Sequence, residues 1–166
     1  QTIEDLEWIT GINYWGVLYG CTFFLPHLLQ QDEAHIVNMS SSAGLTGMPL
    51  QASYSATKFA VRGFSESLFV DLAKTSVGIS CVHPGAVATD ILNNSRMDTE
   101  KKEKLVIGFN KFAMPVDKAA RKIVRAIEKN HFKVIFCVES VIFDFTRRFS
   151  AVGLLKIMRL FQKIKK

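Results

Sequence analysis

Apolar residues recur at helical spacing along several stretches of the chain and bunch into short runs between them. Leu6, Ile9, Val17 and Phe24 predict a helix from about Ile3 to Leu29. Thr2 is its expected cap, with Asp5 three positions on. Pro26 falls near the end of this helix and is expected to bend it. His35-Ile36-Val37-Asn38-Met39 predicts a buried strand, and Ser40-Ser41-Ser42-Ala43-Gly44 a polar loop after it. Phe59, Phe64, Leu68 and Leu72 predict a second helix over about Ser53 to Lys74. Val77 to Val82 reads as a second strand, stopped by His83-Pro84-Gly85. Residues 91–112 begin polar, become mixed, and are expected to form a helix or lid. Pro115 opens a further helix, Val116 to Lys129, with Ala119, Ile123, Val124 and Ile127 turned inward. Phe132 to Val138 reads as a third strand, followed by a hinge near Val138–Arg148. A basic amphipathic helix over about Ser150 to Lys166 ends the pattern.

Strands alternating with helices at this spacing predict parallel βαβ units, hence an α/β fold with helices flanking a parallel sheet. The body is expected over residues 1–148 and the tail helix over 149–166. No internal repeat or low-complexity segment interrupts the chain.

Composition narrows the class. At 166 residues, 48% of them hydrophobic and 22% charged, the chain is long enough and apolar enough for one real core. No apolar run approaches the roughly 18 residues of a membrane span. Cys21, Cys81 and Cys137 are far apart and form no C-x-x-C pair, so they read as buried thiols of a reducing, cytoplasmic protein. His27, His35, His83 and His131 show no metal spacing, and no metal site is expected. The net charge of +6 is a tail property. Arg147, Arg148, Lys156, Arg159, Lys163, Lys165 and Lys166 lie in a stretch without an acid, and the rest of the chain is close to neutral. A basic body for nucleic acid is therefore not expected. The tail leaves two readings open: docking on the parent domain, or peripheral contact with an anionic membrane surface.

The chemistry centres on Tyr54-Ser55-Ala56-Thr57-Lys58. A spacing of four on a helix puts the phenol and the ammonium on one face. A free tyrosine titrates near 10, and a neighbouring cation favours its phenolate. Such a pair can take a proton from an alcohol or give one to a carbonyl. Alone the pair is weak, since a surface Tyr and Lys on a helix look the same. Ser41 adds weight. It lies thirteen residues before Tyr54, just past a strand, where ligands bind in parallel sheets and a hydroxyl can steady a substrate oxygen. The turn His83 to Thr89 follows the next strand and emerges at the same edge. Asn13 is a polar residue in an otherwise apolar helical stretch. Phe109, Phe112 and Met114 fit an apolar pocket and ordinary packing equally well.

Together these residues resemble the short-chain dehydrogenase/reductase family. The resemblance is carried by Asn13 in Ile12-Asn13-Tyr14-Trp15-Gly16, the strand and loop from His35 to Gly44, Tyr54-x-x-x-Lys58 followed by Phe59-Ala60-Val61, and Pro84-Gly85 leading to Thr89. It implies a Rossmann-type parallel sheet truncated to the family's last three strands. It also implies NAD or NADP as cofactor and interconversion of a secondary alcohol and a ketone, with a lipophilic small-molecule substrate favoured by the apolar lid. On this resemblance Tyr54 is the catalytic acid/base. Lys58 lowers its pKa and binds the nicotinamide ribose, Ser41 orients the substrate oxygen, and Asn13 helps hold a relay water. The backbone of Val87 and the side chain of Thr89 hold the carboxamide on a turn shaped by Pro84 and Gly85. A homo-oligomer formed through the helices at 3–29 and 53–74 is also implied.

The family's glycine-rich phosphate turn and cofactor selector have no counterpart in these 166 residues. The chain is accordingly expected to be a fragment or processed product that binds dinucleotide poorly by itself, with an unpaired edge on its first strand. Two non-enzymatic readings remain beside the enzyme: an incompetent truncated product kept as a binding scaffold, and a membrane-surface adaptor acting through the tail.

Overall fold

A computed structural model describes residues 2–92 and 113–164. The first helical stretch is one rod in three parts: α1 (Ile3–Thr10), a π-helical turn (Gly11–Trp15) and α2 (Gly16–Leu28). Thr2 caps it in a capping box, its side chain accepting from the Asp5 backbone while the Asp5 carboxylate accepts from the Thr2 backbone. Then follow β1 (Ala34–Met39), α3 (Ala52–Asp71), β2 (Val77–His83), α4 (Val116–Glu128) and β3 (Lys133–Ile135). Two helices close the chain, α5 (Val138–Phe149) and α6 (Ala151–Ile164).

The sheet is parallel throughout, in the order β1-β2-β3. Ala34 pairs with Val77 at one end of the β1–β2 ladder and Met39 with Val82 at the other, while Cys81 pairs with Lys133 on β3. Among the described residues, β1 is bonded on one side only. Alternate residues feed two cores. Ile36, Val77 and Ile79 pack with Cys21 of α2 and Leu72 at the end of α3. Val82 and Val134 pack with Ala119 and Ala126 of α4 and with Phe136 and Cys137. The result is the three-layered α/β/α arrangement of a Rossmann-type fold. Each fully buried aliphatic side chain contributes roughly 1.5–3 kcal/mol.

A buried polar chain fixes β1 between its helices. Asn38 donates through Nδ2 to Ser65 Oγ at 3.0 Å and accepts from Cys21 Sγ at 3.4 Å, and Ser65 Oγ donates to the Val61 carbonyl. Slipping β1 by one residue would leave these groups unpaired in the core, so the chain specifies register as well as burial.

Five expectations are corrected. The region Val138–Arg148 is helix α5, not a hinge, and it shortens the third strand, which ends at Ile135 rather than Val138. Cys137 caps α5 instead of lying in a strand. On α4 the inward stripe is Ala119, Ile123 and Ala126, while Val124 and Ile127 face outward. The first helix is not uniform, because a π-helical turn interrupts it. All three cysteines are buried thiols, and burial pushes Cys81 up to about 11. Except for Ile91 and Leu92, the expected lid lies outside the described residues, as do Phe109, Phe112, Lys165 and Lys166.

Candidate active site

The carboxyl ends of β1 and β2 lie side by side, and the chain leaving each is pinned to the other. The Ser40 amide donates to the Val82 carbonyl and the Ser42 amide to the Pro84 carbonyl, both at 2.8 Å. Ser41, held between them, caps a short 3-10 turn through its own side chain, Oγ accepting from the Ala43 amide at 3.1 Å. A hydroxyl whose lone pair is engaged in this way keeps its hydrogen free to donate outward.

Beneath Ser41 lies His83, fully buried, with Nδ1 3.2 Å from the Ser41 carbonyl oxygen. A carbonyl only accepts, so Nδ1 carries the proton and donates. Burial pushes the imidazole down to about 4, and it stays neutral at physiological pH. An unfolded histidine titrates near 6.5, so between these values the unfolded chain binds a proton that the folded chain refuses. Stability from this group is full above about 6.5 and is lost as pH falls towards 4. About 2 kcal/mol is expected to go between pH 7.5 and 5. Urea unfolding at the two pH values measures it, and His83→Gln is expected to lose clearly less. An equal loss in both proteins would assign the effect to other groups.

Tyr54 and Lys58 come from the first turns of α3. Ser55 and Thr57 there are buried against the body, and the small side chains let helix and loop approach closely. The approach is tightest at Gly44, where a Cβ would stand 2.7 Å from the Lys58 carbonyl oxygen. Ser40 Oγ donates to that same carbonyl at 2.9 Å. Tyr54 is half-buried within hydrogen-bond reach of the Ser41 side chain. Lys58 Nζ donates to the Met39 carbonyl at 2.9 Å and stands 5.7 Å from the centre of the Tyr54 ring.

The direction of the phenol's shift differs from the expected one. Burial pushes the Tyr54 phenol up, and the hydrogen bond with Ser41 only partly opposes it. Burial likewise pushes the Lys58 ammonium down. The ammonium is aimed at the Met39 carbonyl and lies beside the ring, which leaves desolvation in control of the phenol. Tyr54 thus rests as the proton-bearing form, the one a carbonyl reduction needs.

Asn13 reaches the same neighbourhood by way of the π-helical turn. Its Nδ2 donates to Thr57 Oγ1 at 3.2 Å, and Thr57 Oγ1 donates to the Tyr54 carbonyl at 2.8 Å. The widened turn runs between Gly11 and Gly16, and such turns often mark functional positions. At the end of β2, Gly85 has no room for a Cβ, which would stand 2.8 Å from that of Cys137. Val87 bridges Met114, and the Thr89 amide folds back on the Val87 carbonyl at 2.8 Å. Asn13, Ser41, Tyr54 and Lys58 therefore gather around one end of the sheet. Pro84, Gly85, Val87 and Thr89 form the adjoining turn at the end of β2, with Thr89 exposed.

Several supporting residues escaped the sequence reading. Thr57 holds Asn13, and its place inside the Tyr54-to-Lys58 motif was the only signal. His83 holds Ser41. From α5, Glu139 accepts from the Ala86 amide at 3.2 Å. Arg147 donates to the Leu45 carbonyl at 2.5 Å and stacks its guanidinium 4.8 Å over the Phe59 ring. Helix α5 thus braces both the turn after β2 and the loop after Ser41.

A parallel α/β sheet with a Ser, Tyr and Lys constellation at its carboxyl edge defines a class of nucleotide-dependent oxidoreductase folds. Residues 1–100 match the family model described as short chain dehydrogenase, and the chain belongs to that family. It is 36% identical over 150 residues to SadH of Mycobacterium tuberculosis, an oxidoreductase by name, covering 87% of this chain and 54% of SadH. It is 34% identical over 93 residues to the 3-ketodihydrosphingosine reductase of Bacteroides thetaiotaomicron, covering 56% of this chain and 35% of that one. A short-chain dehydrogenase/reductase from Burkholderia phymatum, solved in complex with NAD, superposes with a TM-score of 0.74 at 30% identity, over 81% of this chain and 54% of that one. The chain spans about half the length of SadH.

Proposed function

We propose that the protein is an NAD- or NADP-dependent oxidoreductase that interconverts a lipophilic secondary alcohol and its ketone. The observation that carries this reading is the convergence of Tyr54 and Ser41 at the carboxyl edge of β1 and β2, with Lys58 one helical turn along α3. In the reducing direction Tyr54 Oη gives its proton to the carbonyl oxygen as that oxygen gains charge, and the Ser41 hydroxyl steadies it with a hydrogen bond. In the oxidising direction the same oxygen takes the proton back.

The residues present suit the nicotinamide end of the cofactor. A turn at the end of β2 with no room for a side chain at Gly85 faces the same edge as Tyr54 and Lys58. Lys58 and Tyr54 would hold the ribose, and Pro84, Gly85, Val87 and Thr89 the carboxamide. When bound, the cofactor supplies or accepts the hydride. Asn13, tied to Thr57, would hold a water through which Lys58 re-supplies the proton, a role supported by its bond to α3.

A lipophilic ketone is supported by two features. One relative is named for reduction of a 3-keto compound. The loop between Ser41 and Tyr54 presents Leu50 almost wholly to solvent with φ of 61°, a left-handed backbone that a leucine adopts only under constraint. A lipid surface met through residues 150–166 goes with such a substrate. Homo-oligomerisation is supported by the exposed aromatic ladder of Trp15, Tyr19 and Phe23 on the first helix and by exposed Phe69 and Val70 on α3.

The test is turnover of the full-length protein with NADH and NADPH over a series of ketones of rising chain length, read from nicotinamide absorbance. Absence of turnover with both cofactors on every member of the series overturns the reading. Residues 1–166 alone, which contain no glycine-rich phosphate turn, are expected to show no turnover and no saturable binding of NAD or NADP by calorimetry. Micromolar saturable binding would show that the nicotinamide end suffices.

A further inference from the structure

Helix α5 is amphipathic the wrong way round for a helix packed on a core. Its polar stripe is spent on the body. Ser140 is buried, Asp144 pairs with Lys133, Arg147 reaches Leu45, and Glu139 binds the turn after β2. Its apolar stripe, Val138, Val141, Ile142, Phe145 and Phe149, recurs at spacings of three and four and faces solvent. Val138 is 75% exposed, Phe145 60% and Phe149 76%, and the two phenylalanines stack edge to face. Helix α6 repeats the theme. Among its described side chains only Leu154 is buried, and Ile157, Leu160 and Phe161 stay exposed. The next stripe of α6 carries Lys156, Arg159 and Lys163, which with Leu160 line a shallow open hollow.

From this geometry we infer that α5 and α6 together form a surface that seats on a lipid bilayer bearing anionic headgroups, with the outward stripe of α5 entering the acyl boundary. The inference deepens the lipid contact proposed for the tail and rests on that reading; it does not depend on the catalytic one. Charge selects the occupant. Arg148, Lys156, Arg159 and Lys163 are the charges beside the apolar stripes, and α6 has no acid. The carboxylates of α5 are engaged, Asp144 with Lys133 of the body and with Arg148 on α5 itself, and Glu139 with the Ala86 amide, which leaves Lys156, Arg159 and Lys163 as the cations of the surface. Aromatic and aliphatic side chains beside cations with long apolar stems suit the interface between acyl chains and phosphates. A second copy of this chain would instead bring like cations face to face across an apolar seam. Apolar area of this extent in the open marks an interaction surface. Helix α5 also braces the loop after Ser41 and the turn after β2, so this surface adjoins the elements that carry the candidate site.

Vesicle flotation of the full-length protein tests the inference, since aggregates do not float. The probes are vesicles of phosphatidylcholine alone and of phosphatidylcholine with an equal part of phosphatidylglycerol. The protein is expected to float with the mixed vesicles, on the order of tenfold less with phosphatidylcholine alone, and less again at 1 M salt, where the screening length is about 3 Å instead of about 10 Å at 0.1 M. Phe145→Ser/Phe149→Ser replaces exposed side chains, and its thermal midpoint is expected to hold. Its flotation is expected to fall on the order of tenfold, as is that of Lys156→Glu/Arg159→Glu/Lys163→Glu. If the phenylalanine variant floats like the parent while the charge variant does not, the role of α5 is overturned and the tail contact alone stands. If the parent floats with neither vesicle, both are overturned. If, in addition, the phenylalanine variant turns a dimer into a monomer in sedimentation velocity, the face joins two copies of the chain.

Discussion

Tyr54→Phe in the full-length protein is expected to cut turnover by about 10²–10⁴, the scale of a lost acid/base group, and to leave the fold intact. The ring keeps its half-buried place on α3, and only the oxygen in contact with the Ser41 side chain is removed. The structure sharpens what should be seen. Burial holds the phenol above its ordinary value, so Tyr54 at rest carries the proton that a ketone would need and is not the base that an alcohol would need. The parent should therefore reduce over a broad range of pH and oxidise only as pH rises towards the phenol's titration. In Tyr54→Phe both directions should collapse to a small residue that no longer follows that pH dependence. Initial rates in both directions across pH, with thermal midpoints as a folding control, decide the matter. A folded variant with near-parental turnover would remove Tyr54 from the chemistry.

The parts of the fold legible in the sequence are those governed by local pattern. The two long strands and the helices from Ser53 and from Val116 emerged within a residue or two at most boundaries, because apolar periodicity and the cap at Thr2 or the proline at 115 act over a few residues. The Tyr54 and Lys58 pair was legible for the same reason, since a spacing of four on a helix fixes a shared face. What escaped depends on distant partners. The π-helical turn puts Asn13 on Thr57, a contact across 44 residues that no local periodicity encodes. His83 looked like one of four scattered histidines until the loop after β1 folded over it. The sequence over Val138–Arg148 reads as a hinge, where the structure has helix α5. Its period was visible in Val138, Val141, Ile142, Phe145 and Phe149, but helices usually turn such a stripe inward, and here the inward stripe is Ser140, Asp144 and Arg147.

Lys58 stands beside the Tyr54 ring and has a structural partner as well. Lys58 Nζ is spent on the Met39 carbonyl, the last residue of β1, so it ties α3 to the strand that leads into Ser41. Ser40 Oγ on the Lys58 carbonyl and the near-contact at Gly44 make the same joint from the other side. The spacing of Ser41 and Tyr54 is thus set by a rigid strand-to-helix junction and not by a loop, which is the condition for holding a reacting oxygen within a few tenths of an ångström.

Lys58→Ala is for this reason expected to do more than weaken cofactor binding. Removing the ammonium takes away a cation 5.7 Å from the Tyr54 ring centre, where a positive charge would favour the phenolate. Alcohol oxidation should then need a higher pH than in the parent, because the phenol, already raised by burial, rises further. The sign is fixed: loss of a neighbouring positive charge disfavours the charged form of an acid, so the alkaline limb moves up and not down. Removing the donor to the Met39 carbonyl should also loosen the junction between β1 and α3, seen as a lower thermal midpoint by the scale of one hydrogen bond, about 1 kcal/mol. Lys58→Arg separates the two effects. It restores the charge and a donor but not the compact point geometry, so the pH profile should return most of the way towards the parent while cofactor affinity stays weakened. The measurements are kcat and kcat/KM for oxidation against pH in the three proteins, together with dinucleotide affinity. A Lys58→Ala profile that falls in height with no movement along the pH axis would leave Lys58 a cofactor and strand anchor without influence on the phenol.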